Sequence, residues 1–527
     1  MLNRCLVITL CVVGWSVGAA AQDPGNGRLT APAKLLAVNP PDTGTGSASL
    51  VADDPASAGV DSTPVPAASA ASVDTPSATS ETTSLDAERR ACDGCPQRSV
   101  GKAFAHTTII NGFYGLANLI RGQETAKITP KTWWSNMQDG WVWDLDDFTV
   151  NQFGHPYQGN NYFNAARSNG LSFWESTAVT AFGSGTWEYF GETNRASLND
   201  LINTTLGGIA LGEMFHRTAW LVRDTHKTGK SRLWSEIGAS ALDPITGVNR
   251  FISGDSSRVS DKPSDMVPSS LAGFGSMGAL WRGDQKGDFD GTPDPFLEMD
   301  MLYGDVERGR SRTPYDAFAF RLRLGGGAGI SEAKVRGRLV GEPLGDGKLQ
   351  FAVLQDYEYE KNDVFHTGAQ SFEASLSRTW GTAPGARLLL LGWGGLTVLG
   401  AVDSLPVDLE APPPEQENSV QGVSEGPRYY DYGPGSLFGA TAIVTRNQKP
   451  LLTAFYEGRQ LYSLDGVRAN HFLQRFRLDL IAPVRGPLGI GVTGEFFDRH
   501  TYYQDANRTV KHYYYPQISA YLSWRIS

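Results

Sequence analysis

Two hydrophobic periods divide this chain. Up to about residue 260 the apolar positions recur at three- and four-residue steps, and from about residue 265 they alternate with polar ones. In the first part Ile109, Ile110, Phe113, Leu116, Ala117 and Ile120 fall on one helical stripe. A second helix is predicted from Ser172 to Phe190, with Trp174, Ala178, Ala181, Gly185 and Glu188 on one face. Ser197 with Asp200 three residues later predicts a capped start for a third helix that runs to about Arg223. The short link between these two implies an antiparallel hairpin. It would set Glu188 and Glu192 opposite Asp200 and Asn203, with Glu213 and His216 on the order of 15 to 20 Å further along. Gly208 and Gly212 would let the two backbones approach closely.

The second part reads as strands with apolar residues on one face and charges on the other. Ile518, Ala520, Leu522 and Trp524 alternate with Gln517, Ser519, Tyr521 and Ser523, the dyad of a membrane-facing strand. Similar segments begin near residues 270, 296, 316, 332, 348, 371, 386, 436, 451, 471, 488 and 514. Short connections near 341–347, 381–386, 446–450 and 482–487 alternate with longer ones, as periplasmic turns alternate with extracellular loops in outer-membrane barrels. The expected fold is therefore α+β: an N-terminal all-α domain followed by an antiparallel transmembrane β-barrel of about 12 strands. A soluble antiparallel sandwich would leave the turn alternation unexplained. With the C-terminus periplasmic, the helical domain is expected in the periplasm or folded up into the barrel lumen.

Composition adds an address. Arg4, the apolar run Cys5–Val17 and Ala19-Ala20-Ala21 form a signal-peptide pattern, with cleavage expected after Ala21. Residues 22–103 hold no Phe, Trp or Tyr and read as a disordered Ala/Ser/Thr/Pro-rich linker. The divisions expected are thus 1–21 signal peptide, 22–103 linker, 104–260 helical domain and 265–527 barrel, in the outer membrane of a Gram-negative cell. Cys92 and Cys95 are the cysteines left after cleavage and suit a local disulfide in an oxidising compartment. A formal charge of −10 argues against nucleic acid as a partner. The partners expected are outer-membrane lipid, the barrel-assembly machinery during biogenesis and an unidentified small-molecule ligand.

The chemistry-bearing residues concentrate between Asn151 and Arg217. The runs GHPYQGNNYFNAARSNGLSFWES, WEYFGE and NDLINTTLGGIALGE, with the lead-in WSNMQDGWVWDLDDF and the later ALDPITGVNR, resemble a bacterial envelope family known as domain of unknown function 3943. The resemblance spans about residues 104 to 255 and implies an envelope location without implying a reaction. His155, before a proline, is expected extended and presented from a loop. It is a candidate catalytic base, with Glu188 and Glu192 as acid or cation ligands. Tyr157, Arg167, Asp200 and Asn203 are candidate ligand-binding residues. Glu213 and His216, spaced to share a helix face, are candidate metal ligands. Arg195 could instead neutralise the carboxylates. No nucleophile elbow, zinc-protease, P-loop or dinucleotide motif occurs in this domain, and no cofactor is expected. The principal functional reading is a binding, transport or structural envelope protein. The alternative is a lipid- or cell-wall-directed hydrolase or transferase built on His155 and Glu188/Glu192.

Overall fold

The structure, a computed structural model, describes residues 94–284, 288–289, 291–305, 310–325, 329–362, 365–383, 385–403, 430–447, 449–504 and 510–526. The expected signal peptide, most of the linker and Cys92 lie outside the described residues; Cys95 is disulfide-bonded. Eight helices are described: α1 (Val100–Ile120), α2 (Pro130–Gln138), α3 (His155–Arg167), α4 (Phe173–Phe190), α5 (Leu198–Ile202), α6 (Gly208–Val222), α7 (Gly229–Leu242) and α8 (Pro244–Ser253). The strands are β1 (Leu271–Arg282), β2 (Asp294–Tyr303), β3 (Phe318–Gly325), β4 (Ile330–Leu344), β5 (Leu349–Lys361), β6 (His366–Ala383), β7 (Ala386–Asp403), β8 (Tyr430–Arg446), β9 (Lys449–Tyr462), β10 (Ala469–Arg485), β11 (Leu488–Tyr503) and β12 (Lys511–Arg525).

Each strand pairs antiparallel with its chain neighbours, and β12 pairs with β1, so the twelve strands close into a barrel. Closure removes every sheet edge. β6 and β8 start earlier than the alternation alone suggests, at His366 and Tyr430 rather than near 371 and 436. One end carries the tight turns after β4, β6, β8 and β10, and the chain enters β1 there. The exception at that end is the long connection 304–317 between β2 and β3.

Ion pairs between strands that are not neighbours identify the lumen face. Arg475 on β10 reaches Glu358 on β5 at 3.5 Å, and Arg459 on β9 reaches the same carboxylate at 2.7 Å. Arg336 on β4 meets Glu457 on β9 at 3.5 Å, and Arg477 on β10 meets Glu298 on β2 at 3.7 Å. Only the interior of a closed sheet brings such strands together, so the charged positions point inward and their sequence neighbours outward.

With the faces fixed, the outer wall divides in two. On β10 to β12 the outward Phe476, Leu480, Ile490, Val492, Ile518 and Leu522 are exposed. On β2 to β5 the outward Met299, Met301, Phe320, Leu322, Ala333, Val335, Tyr357 and Tyr359 are buried, in one hydrophobic cluster with Phe153, Phe163, Ile209, Met214 and Phe215 of the helical region. The helices therefore lie against the outside of the barrel wall and do not plug its lumen. That corrects the expectation of a lumenal domain: the interior is already crossed by paired charges, and the apolar helix faces find their match on the outward strand faces.

Tyrosines fasten the two layers. Tyr357 OH donates to the Gln152 carbonyl at 2.9 Å, Tyr430 OH to the Asp146 carbonyl at 2.7 Å, and Tyr303 OH to the Met266 carbonyl at 3.0 Å. The first of these explains a second departure from expectation. His155 is helical (φ −60°, ψ −47°) although it precedes Pro156. A proline inside a helix leaves the carbonyl four residues back without its N–H and crowds it. Here that carbonyl is Gln152, the segment Val150–Gly154 widens into a π-helical turn, and the Tyr357 hydroxyl takes the freed oxygen.

α4 begins where expected, with Ser172 and Glu175 capping each other reciprocally. The segment after Ser197 is helical to Val222 but passes through a π-helical turn at Asn203–Gly207, and Ser197 makes no cap bond. Gly208 and Gly212 do permit a close crossing, but with α3. A Cβ on Gly208 would stand 2.5 Å from the Gly159 backbone, and one on Gly212 would stand 2.8 Å from Phe163. Gly208→Ala is therefore expected to cost about 2 to 3 kcal/mol, because backbone on backbone cannot yield as a flexible side chain can. A lower temperature for loss of the compact band on unboiled gels would report it, and an unchanged temperature would show that the crossing can open freely.

Candidate functional site

The antiparallel arrangement of α4 and the segment beginning at α5 brings a group of polar side chains together behind the tyrosine-bearing ends of β5 and β8. Glu188 is buried near the end of α4, and its Oε2 accepts from the Ser197 backbone N–H at 2.7 Å. Glu192 accepts from Trp187 Nε1 at 2.6 Å. Asp200 Oδ1 accepts from Asn199 Nδ2 at 2.8 Å and lies 3.6 Å from His155 Nε2. His155 Nδ1 is 3.3 Å from Thr204 Oγ1. Asp144 joins through Asn151, whose Nδ2 donates to Asp144 Oδ2 at 3.1 Å and to Tyr430 OH at 2.6 Å.

Burial sets the protonation of this group. It pushes Glu188 well above the ordinary carboxyl range, and Asp200 and Glu192 push it further. Glu192 is raised to about 7 by burial, opposed by His155 and reinforced by Asp200. Burial holds His155 below the usual imidazole value although Glu192 and Asp144 pull the other way. Glu188 and Glu192 thus hold their protons to higher pH than free carboxyls do, beside an imidazole that stays neutral to lower pH than a free one. Asn203, one helical turn after Asp200 and fully buried, has neither amide atom hydrogen-bonded, and Asn160 Nδ2 and Asn151 Oδ1 are likewise unmatched. Buried amides without partners are costly, which marks the place where a polar ligand or water would be stabilised.

The remaining candidates are elsewhere. Arg167 and Arg217 both hold Glu213, at 2.8 Å each, and all three are buried. Burial would raise Glu213, but the two guanidinium groups more than offset it and keep the carboxylate charged. His216 Nδ1 is 2.9 Å from Asp243 Oδ2. Glu213 and His216 therefore face separate partners, and the oxygens a cation would need are already bonded to arginine. Arg217 also donates to the Asp265 and Pro314 carbonyls at 2.7 and 3.0 Å, so this second cluster ties α6 to the tight-turn end of the barrel. Tyr157 packs edge-on against Phe215 with ring centroids 6.4 Å apart. Arg195, the expected counter-charge, instead donates to the Asp139 carbonyl. Asp144, Asn151, Asn199, Tyr430 and Tyr432 belong to the site without having been singled out by spacing. The alternation Tyr430-Asp431-Tyr432 at the start of β8 was the available signal.

The fold and this site define the class: an outer-membrane-type β-barrel carrying a helical domain with a buried polar cluster. Residues 140–245 match the model of a family described as "Domain of unknown function (DUF3943)", and every residue of the carboxyl cluster except the β8 tyrosines falls inside that match. No curated protein matches the chain. Among solved structures the chain is similar to the NanC porin, at 9% identity and a TM-score of 0.23, over 46% of this chain and 98% of that one. It is also similar to a loop L8 deletion mutant of OmpT, an outer membrane protein of Vibrio cholerae (8%, 0.20, 49% and 99%), and to the CymD monoaromatic hydrocarbon channel (8%, 0.20, 50% and 90%). Scores of this size carry no functional inference, and the barrel assignment rests on the closed strand order.

Proposed function

We propose that this protein is an outer-membrane envelope protein whose barrel serves as an anchor rather than a conduit. Its helical domain lies beside the barrel at the level of the bilayer and binds a polar ligand in the carboxyl cluster. The observation that carries this reading is the divided outer wall. Lipid would cover the exposed apolar residues of β10 to β12, whereas along β2 to β5 the helices cover the outward strand faces in its place. The helices' own outer surface supports it, since Phe113, Trp174, Trp234 and Phe251 stand 68%, 59%, 70% and 78% exposed. Apolar patches of this kind on a folded surface mark membrane or partner contact. None of the described helices is long and apolar enough to cross a membrane, so the domain would be held in place by the barrel wall.

The tight-turn end is assigned to the periplasm, as in outer-membrane barrels generally, which puts the cluster toward the opposite leaflet. A group with amine or hydroxyl donors, as lipid headgroups have, would suit carboxyl and amide acceptors reached from the bilayer side. Spin labels at Phe113→Cys and Phe251→Cys in the full chain in liposomes test the placement. Relaxation by molecular oxygen with protection from a water-soluble nickel chelate is expected; free access of the chelate to both labels would put the domain in water and remove the reading.

A further inference from the structure

On the opposite, bare half of the barrel, three side chains gather on the outward face of β11 and β12. His500 and His512 are directly paired across the two strands, and Asp498 precedes His500 by two residues, so all three project to the same side. Asp498 Oδ2 is 3.1 Å from His500 Nε2, and its Oδ1 is 2.5 Å from His512 Nε2. The imidazole rings stack with centroids 4.1 Å apart and 15° between planes. Among the described residues this is the group in which three metal-ligating atoms lie within 4.8 Å of one another.

From this geometry we infer that Asp498, His500 and His512 form a surface site for one divalent transition-metal ion of the zinc, nickel or copper type. Imidazole and carboxylate suit these ions, with ligand distances of about 2.0 to 2.2 Å. The rings now stack nearly parallel, so holding one ion through both Nε2 atoms requires the two imidazoles to turn out of the stack about their side-chain torsions until the lone pairs converge. Access and support are both arranged for it. Asp498 is nearly buried, whereas the His500 and His512 side chains are 30% and 49% exposed, so an ion can enter from one side and keep a position open to water. Gln474 Nε2 donates to Asp498 Oδ2 at 2.9 Å, the kind of outer hydrogen bond that fixes a ligating carboxylate. Phe496 and Tyr514 stack beside it at 5.8 Å, consistent with the aromatic girdle at a membrane–water boundary. A bound ion would clip β11 to β12 close to the connection that joins them, one strand away from the β12–β1 closure.

The test uses the full chain, purified without a polyhistidine tag and freed of metal with chelator, then titrated with Zn2+ by calorimetry and assayed for bound metal. About one ion per chain is expected, with affinity reduced at least tenfold by Asp498→Asn and lost in the His500→Ala/His512→Ala double variant, both checked for folding by heat-dependent gel mobility. Less than about a tenth of an ion per chain, or unchanged binding in the double variant, overturns the site. Should the double variant fail to fold, Cu2+ bound to the unaltered protein decides: nitrogen couplings from two imidazoles are expected in its paramagnetic resonance spectrum, and their absence overturns the site equally.

Discussion

Replacing Arg475 by Gln is expected to destabilise the barrel by about 3 to 5 kcal/mol, because it strands carboxylates that the guanidinium holds inside the lumen. Arg475 lies 3.5 Å from Glu358 and 3.2 Å from Glu495, and it also pairs with Glu360. The same change removes a strut between β10 and β5, so a cation-selective leak is expected in planar bilayers, with no porin-like steps expected from the unaltered protein. Changing Arg475→Gln and Glu360→Gln together should recover part of the stability, since one of the carboxylates that Arg475 held is then neutral while Glu495 still lacks its guanidinium, and it should leave the leak. Urea midpoints from gel mobility and single-channel recording read both effects. Large steps from the unaltered protein would show that the paired charges line an open pore instead of bridging it.

The second large effect concerns pH and the carboxyl cluster. Glu188 and Glu192 have folded-state values raised above those of an unfolded chain, so the folded state holds their protons more tightly. Below about pH 4.5 both states are protonated and there is no penalty; as pH rises from there through about 7 the folded state loses stability relative to the unfolded one. Glu188→Gln keeps the shape of the protonated acid and an oxygen to accept from Ser197. It is therefore expected to be more stable than the unaltered protein by on the order of 2 kcal/mol at pH 8, and indistinguishable from it near pH 4. Denaturation midpoints across that range would test this. A variant less stable at pH 8 would mean that the carboxylate is charged and held by a partner.

The barrel was readable because its signal is repeated. Arg475, Arg477 and Asp479 alternating with Phe476, Leu478 and Leu480 can sit only one way round in a closed sheet, and many strands repeat the rule. The carboxyl hairpin was readable for a similar reason, since the short link after α4 leaves Glu188 few places to go other than beside Asp200. The helical layer on the wall was not, because periodicity tells which face of a strand is apolar but not whether lipid or helix covers it. The hint lay in residue type. Tyr357, Tyr359, Tyr430 and Tyr432 occupy outward positions where hydroxyls would be stranded in hydrocarbon, and each instead contacts the helical domain. His155 was misread because the rule for residues before proline is local, and a hydroxyl from β5, far along the chain, supplies what the helix lacks.

Those tyrosines also set an order of events during maturation. Asn151 meets Tyr430 across 279 residues of sequence, and Gln152 meets Tyr432 across 280. The helices emerge first during synthesis, but their docking surface is complete only once β8 is in register, so the domain must wait undocked while most of the sheet is laid down. Contacts of such separation make for slow assembly. The apolar helix faces are exposed throughout that interval, a stage at which a holding chaperone would matter more for this protein than for a barrel without a helical partner.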